Sequence, residues 1–364
     1  MYFPANRSVA IIGSVGLPAN YGGFETLVNF LTKENSHIFD ITVFCQKNVS
    51  RDKPRKYNNS KLRYLPFKAN GIQSVLYDVI SICISWSQYD SLLILGTSGC
   101  IILPLLGLFK KKHIVLNFGS LEWKREKWGR FAQWYLKFSE GIAIRNSNVI
   151  ICDNQYLCDY VREEYKRDSI LIEYGGDHTD SMEYDPSMMG KFPFLTRNYD
   201  ISVSRAQPDN QLHLLLEVYR NTPKRNLVLV SNYGNSRYGL ELKEKYSNIP
   251  NIFLQDAVYD LKELNVIRSN AKLYIHSHSL CGTAPSLVEA MSLGLPVLAY
   301  DVPANRYTTE NKALYFKNAS ELQKIIDSLD ENTSKQISNN MKEIANRRYT
   351  WKRIAQMYAE YLYP

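Results

Sequence analysis

The chain has 364 residues, 45% of them hydrophobic, and a formal net charge of +8. That length suits two domains of ordinary size better than one, and the apolar share is ample for two buried cores, which excludes a disordered chain or a disulfide-stapled miniature. The six cysteines, Cys45, Cys83, Cys100, Cys152, Cys158 and Cys281, contain no CxxC pair; such usage suits a reducing cytosol, with thiols packed as small hydrophobes, and argues against a zinc site.

The N-terminal stretch MYFPANRSVAIIG lacks the basic start and long apolar core of a signal peptide, so secretion is not expected. A first strand, VAIIG, runs into GSVGLPANYGGFETLVNFL, Gly13 to Leu31. Glycines at 13, 16, 22 and 23 permit a sharp turn and leave no Cβ in the way of a ligand. A helix then starts near Phe24 and offers unpaired N–H groups to an anion or a polar sugar. The spacing is GxxG, not GxGxxG, and the next strand ends FCQK without an acidic residue for a ribose, so a nicotinamide cofactor is not expected. Glu25 either favours the helix N-terminus electrostatically or accepts hydrogen bonds from sugar hydroxyls.

Basic residues concentrate in the first half, where the chain to Asp177 carries 22 Lys+Arg against 16 Asp+Glu. They cluster in Lys47 to Lys68 and again at Lys110 to Lys112 with Lys124, Arg125, Lys127 and Arg130. This reads either as a solvated face or as attraction to anionic lipid headgroups or pyrophosphates; no recognition motif for nucleic acid accompanies the charge. Leu92 to Lys112 is nearly apolar enough for a membrane span, but Gly96 to Gly99 divide it, which predicts a buried strand, turn and helix.

Six short apolar runs, VAIIG, ITVFC, SLLIL, HIVLN, NVIIC and ILIEY, alternate with helical segments such as Phe24 to Glu34, Phe131 to Arg145 and Asn154 to Glu164. Strands alternating with helices imply a parallel sheet covered on both faces. After a turn-rich linker, Gly175 to Pro193, the alternation restarts with YDISVS, NLVLVS, NIFLQ, KLYIH and PVLAY, a second α/β domain. The expected organisation is residues 1–178, residues 179–345 and a final helical piece, 346–364. Ligands of such open sheets bind beyond the strand C-terminal ends, and two such domains in tandem would place a cleft there.

Within the second domain, Arg205 stands at a strand end, where a fixed cation could neutralise phosphate or form a surface salt bridge. The stretch YIHSHSLCGTAPSLVEAMSLGLPVLAYDVPANR, Tyr274 to Arg306, reads strand, small-residue loop, helix, glycine stop and strand. Backbone N–H groups from about Gly282 to Ser286 can meet a diphosphate, and Glu289 can bind a vicinal diol. His276 and His278, two apart at a strand end, are expected to point to opposite faces and to make a poor metal pair.

GSVGLPANYGGFET, LEWKREKW and HSHSLCGTAPSLVEAMSLGLPVLAYDVPANR together resemble retaining glycosyltransferases of family 4, in the branch of bacterial rhamnosyltransferases that build capsule, O-antigen and other surface polysaccharides. The resemblance implies the α/β GT-B fold: two Rossmann-like domains with parallel sheets facing a central cleft, the first acceptor-side, the second holding the nucleotide-sugar, and a final helix returning to the first. By position it implies that Gly22 and Gly23 approach the donor's phosphates or sugar and that Glu25 lies on the acceptor side. Arg205 would bind the diphosphate, Gly282, Thr283, Pro285 and Ser286 would form the donor loop, and Glu289 would hold the ribose; Glu122 could position the acceptor or pair with Lys124 or Arg125. Three departures stand out: Cys281 where the family often has a glutamate, Asn210 where a lysine is common, and Gly119 with Ser120 where the branch reads Asp-Gly.

The implied reaction moves a sugar, rhamnose or a related hexose, from a dTDP- or UDP-sugar to a polyprenyl-diphosphate-linked saccharide. It proceeds with retention, without cofactor or metal, in a cytoplasmic enzyme peripheral to the inner membrane. A nonhydrolysing nucleotide-sugar epimerase and a degenerate nucleotide-binding subunit of an assembly complex are the alternatives.

Overall fold

The computed structural model describes residues 7–19, 22–48, 52–71, 73–184 and 186–363; Asn20, Tyr21, Arg51 and Asp185, within the glycine loop, the first basic cluster and the linker, lie outside them. The chain forms two compact units, one reaching to Tyr174 and resuming at Trp351, the other spanning Gly175–Thr350. The sequence reading placed these divisions at 178 and 345. Gly176 explains the earlier first division: its N–H donates to the Tyr349 carbonyl at 2.8 Å, and a Cβ there would lie 2.5 Å from the Val288 carbonyl oxygen. The segment leaving Tyr174 is therefore already packed on the second unit.

In unit 1 the strands are β1 (Arg7–Ile12), β2 (Phe39–Gln46), β3 (Lys56–Tyr57), β4 (Ser60–Leu65), β5 (Ser91–Leu95), β6 (His113–Phe118), β7 (Val149–Cys152) and β8 (Ile170–Leu171). They form one sheet in the order β3-β4-β2-β1-β5-β6-β7-β8, parallel except for the β3–β4 pair. Its helices are α1 (Gly23–Asn35), α2 (Gln73–Gln88), α3 (Leu103–Gly107), α4 (Arg130–Asn146) and α5 (Gln155–Tyr165). The central strands read as unbroken apolar runs because helices cover both faces; Val9 to Ile12 are fully buried.

Unit 2 begins with β9 (Tyr199–Val203) and continues with α6 (Leu212–Arg220), β10 (Asn226–Ser231), α7 (Arg237–Tyr246), β11 (Ile252–Asp256), α8 (Leu261–Ser269) and β12 (Leu273–His276). It closes with α9 (Pro285–Ser292), β13 (Val297–Tyr300), α10 (Pro303–Thr308), β14 (Leu314–Phe316), α11 (Ala319–Ser328) and α12 (Glu331–Arg348). The sheet order is β11-β10-β9-β12-β13-β14, all parallel. Asp260, Asn318 and Asp330 cap α8, α11 and α12 with their side chains, each satisfying a backbone N–H that the first turn leaves open.

The chain returns to unit 1 as α13 (Trp351–Leu362). Trp351 stacks on Phe30 of α1 with ring centroids 4.5 Å apart, and Asn35 donates to the Ala355 carbonyl at 2.9 Å. The aromatic stripe in the tail is thus core packing. The two parallel-sheet units have the GT-B fold.

Among the described residues no helix is long and apolar enough to cross a membrane. The span-like stretch Leu92 to Lys112 splits as its glycines indicate, into β5, a short 3-10 turn and α3. Only its first half is buried, however. Leu105 is 53% exposed and Leu108 and Phe109 are each 80% exposed, so the expected burial of the helical half does not hold: α3 is short and the chain leaves it along the surface.

Candidate functional site

The conserved logic of an open parallel sheet puts ligands beyond its strand C-terminal ends, and unit 2 gathers its chemistry there. After β9 the chain turns through Arg205 and a short 3-10 helix, Pro208–Asn210, into α6. Asn210, which stands where a lysine is common in the resembled family, is buried and donates from Nδ2 to the Arg205 carbonyl at 2.7 Å. Its own carbonyl accepts from Ser277 Oγ at 2.5 Å. The next bond along, from the Ser279 N–H to the Asp209 carbonyl at 2.9 Å, ties the same turn to the loop after β12. The Arg205 turn and the 277–286 loop are therefore stapled together, while Arg205 itself stays exposed.

The loop has a second anchor. Asn305 of α10, fully buried, donates to the His278 carbonyl at 3.1 Å and to the Tyr300 carbonyl at 2.8 Å, and Cys281 Sγ donates to its Oδ1 at 3.3 Å. Cys281 thus braces the loop where the resembled family often has a glutamate. Gly282 and Thr283 are buried, Pro285 and Ser286 half-buried. Pro285 opens α9, with Ala284 as N-cap and no side chain capping the turn, so the first turn keeps backbone N–H groups to offer to an anion.

Glu289 sits one turn further along α9, buried, with Arg268 Nη2 2.5 Å and His178 Nε2 3.2 Å from its two oxygens. Burial by itself would raise its pKa; Arg268 and His178 outweigh that and hold the carboxyl below its ordinary range. The close approach of Gly176 to α9 is what carries His178 to this position.

His276 and His278 do not diverge as strand alternation predicts. β12 ends at His276, so the two-residue period stops there, and the two rings lie with centroids 4.1 Å apart. With Cys281 they form a group whose ligating atoms lie within 4.8 Å of one another. These are donor types that zinc takes, gathered by the loop without a sequence spacing that announces them. His276 is buried with no hydrogen-bond partner on either ring nitrogen, and that burial pushes its pKa down to about 3.

In unit 1 the glycine loop is braced from inside. Gly22 is the N-cap of α1 with φ of 132°, a conformation that disfavours any side chain, and Gly23 is the first helical residue. Glu25 folds back over Gly22, where a Cβ would collide with its carboxylate, and accepts the Val15 N–H at 2.7 Å. Gly16 is required for packing, because a Cβ there would lie 2.5 Å from Cys45 Sγ.

Glu122 opens a 3-10 turn after β6 and is held by Arg125 Nε at 2.7 Å, Lys127 Nζ at 2.6 Å and Trp128 Nε1 at 3.1 Å. Burial would raise its pKa, but these cations and the indole N–H outweigh it, and the carboxyl is held below its ordinary range. At Gly119, where the branch has aspartate, a Cβ would lie 3.3 Å from Asp153 Oδ2 and 3.4 Å from Asn117 Oδ1. A carboxylate from the β7–α5 loop thus stands beside the residue that lacks one.

Sequence reasoning missed His178, Arg268, Asn305 and Asp153. Arg268 was legible in part, as a cation on the buried face of α8 beside Leu264 and Ile267. The others reach their places only through tertiary contacts.

Residues 189–348 match the family model described as Glycosyl transferases group 1, and residues 6–177 match one described as a domain of unknown function, DUF1972. No curated protein matches the sequence. Among solved structures the chain is similar to sucrose-phosphate synthase from Thermosynechococcus elongatus, with a TM-score of 0.80 at 16% identity over 97% of this chain and 98% of that one. It is also similar to HepE from Anabaena in complex with UDP-glucose, with a TM-score of 0.76 at 18% identity over 98% and 99% of the two chains. The catalytic domain of starch synthase IV from Arabidopsis thaliana, bound to ADP and acarbose, gives 0.69 at 12% identity over 99% of each. These likenesses give the fold, and with the group 1 match they support a glycosyltransferase.

Proposed function

We propose that the chain is a retaining hexosyltransferase of the family 4 type that transfers rhamnose or a related hexose from a nucleoside-diphosphate donor, dTDP-rhamnose or a UDP-sugar. The acceptor in this reading is a polyprenyl-diphosphate-linked saccharide on the way to a bacterial surface polysaccharide such as capsule or O-antigen, met by a cytoplasmic enzyme at the inner membrane surface. The observation that carries it is the exposed Arg205, its backbone held by Asn210 beside the loop that opens α9.

Departure of a nucleoside diphosphate puts charge on the leaving oxygens, and a preorganised cation with backbone N–H groups stabilises it. Arg205 supplies the cation, and the 282–286 loop supplies the N–H groups with Thr283 and Ser286 hydroxyls beside them. Glu289, kept ionised by Arg268 and His178, retains lone pairs for a ribose diol. In unit 1, Gly22 has no room for a Cβ because Glu25 folds over it and holds the loop's shape, Gly23 opens α1 to a phosphate or sugar, and Glu122 orders the Arg125–Trp128 turn toward the acceptor. Same-face attack through an oxocarbenium-like state, with the leaving phosphate taking the acceptor proton, gives retention without a protein nucleophile. HepE's complex with UDP-glucose supports a nucleotide-sugar as the donor class.

Calorimetric titration with uridine, thymidine and guanosine diphosphate sugars tests the reading. One donor is expected to bind, and Arg205→Ala to weaken it about 30-fold, the equivalent of a charge-assisted bond of about 2 kcal/mol. Absence of binding to any donor by folded protein overturns the donor-site assignment; release of an altered sugar nucleotide without acceptor replaces transfer by epimerisation.

A further inference from the structure

Seven of the thirteen large hydrophobic side chains left exposed among the described residues fall between Ile101 and Phe138, about a tenth of the chain, so they form a concentration and not a scatter. The structure explains how. On α4, Tyr135 and Ser139 donate to the Ser98 and Thr97 carbonyls at 2.7 and 2.5 Å, which fixes that side of the helix against the turn after β5. Phe131, Trp134 and Phe138, spaced i, i+3 and i+7, are left outside at 78, 60 and 48% exposure. Their rings form a continuous stripe, with centroids 5.9 Å apart for Phe131–Trp134 and 5.7 Å for Trp134–Phe138. α3 packs against α4 and brings Leu105, Leu108 and Phe109 to the same neighbourhood.

Cations predominate in the sequence flanking this apolar face, with Glu126 the exposed acid before α4. Lys110 and Lys111 follow Phe109 directly and Arg130 precedes Phe131; all three are exposed and enter no ion pair among the described residues. The nearby acid Glu122 is already occupied by Arg125 and Lys127, and Lys137 is paired with Glu140 and Glu164. A protein core would be matched by apolar side chains alone; aromatic rings edged by free cations match an acyl boundary under anionic headgroups.

We infer that the α3–α4 face of unit 1 is a membrane-docking surface that inserts Leu108, Phe109, Phe131, Trp134 and Phe138 among the acyl chains of an anionic bilayer, with Lys110, Lys111 and Arg130 on the headgroups. This face serves the membrane-side acceptor reading given above, on which its purpose rests, and the two fail separately: donor titration in solution decides that reading and vesicle binding decides this one.

The experiment uses the whole chain with vesicles of phosphatidylcholine alone or mixed with phosphatidylglycerol, read by co-sedimentation and by quenching of tryptophan with acyl-chain-brominated lipid. Binding is expected to the anionic vesicles, with quenching that Trp134→Leu largely abolishes. Charge reversal at Lys110, Lys111 and Arg130 is expected to weaken binding about fivefold per cation and to remove most of its salt dependence. The triple variant Phe131→Ser, Trp134→Ser, Phe138→Ser is expected to lower it at least tenfold while donor titration stays unchanged. Sedimentation of wild type equal to that of protein without vesicles, or quenching unaffected by Trp134→Leu, overturns the inference, and both readings need no folded triple variant. A dimer in solution that the charge-reversed protein keeps and Trp134→Leu loses would instead assign the face to a second copy.

Discussion

Two buried carboxylates, one in each unit, have opposite electrostatic fates. Glu289 in α9 is crossed by Arg268 and His178 and is held ionised below its ordinary range. Asp78 in α2 is as deeply buried, but its partner is the Ser98 hydroxyl, its Oδ1 has no hydrogen-bond partner, and burial pushes its pKa up to about 7. Desolvation acts on both in the same direction; a guanidinium in contact reverses it and a hydroxyl does not. The ionised carboxylate stands one turn along α9 from the small-residue loop, and the one pushed toward neutrality sits under the Gly99 turn, where a Cβ would clash with it.

The strongest way to break this contrast is Arg268→Met, which turns Glu289 into a second Asp78. Removing one partner of a buried ion pair is expected to cost about 3–5 kcal/mol, measured by urea unfolding at neutral pH, with the loss reduced in acid where Glu289 protonates. An unfolding midpoint equal to wild type would show that His178 alone holds the carboxylate.

Asp78→Asn sharpens the contrast from the other side. With the folded pKa above the unfolded value of about 4, the folded state binds the extra proton between them, so wild-type stability falls as pH rises from about 4 to 7 and then levels. The variant lacks that slope and is expected to gain on the order of 4 kcal/mol over wild type by pH 8 relative to pH 4. Parallel stability curves against pH would refute the raised pKa.

Glu25 is the intermediate case, a buried carboxylate answered by the Val15 N–H near the start of α1. Glu25→Gln keeps an acceptor and loses the charge, so a stability loss of about 1 kcal/mol is expected. A loss of melting temperature as large as that for Arg268→Met would mean that the charge, not the bracing bond, holds the loop.

Much of the architecture was legible because it rests on local pattern. The apolar runs of the central strands and the helical period of α1, α4 and α5 reappear within a residue or two of their expected limits, and the glycine-divided run Leu92 to Lys112 breaks where its glycines stand. Short edge strands such as β3 and β14 were not read, since two or three residues carry too little periodicity. In the candidate site, Arg205 and the loop to Glu289 could be named from strand-turn-helix order, because a strand end followed by a small-residue loop and a helix start presents the same groups wherever it occurs.

By itself, then, the sequence determined two α/β units, the loops at their strand ends and the residue types standing there, all consequences of spacing along one chain. Only the tertiary structure decided which groups meet. His178 reaches Glu289 from a linker more than a hundred residues away, Asn305 pins the loop holding Cys281, and the end of β12 turns His276 toward His278. The same holds for the surface: spacing marks α4 as amphipathic, but only the packing of Tyr135 and Ser139 shows that its aromatic stripe faces outward. Those pairings depend on close approach between distant segments, which local preference does not encode.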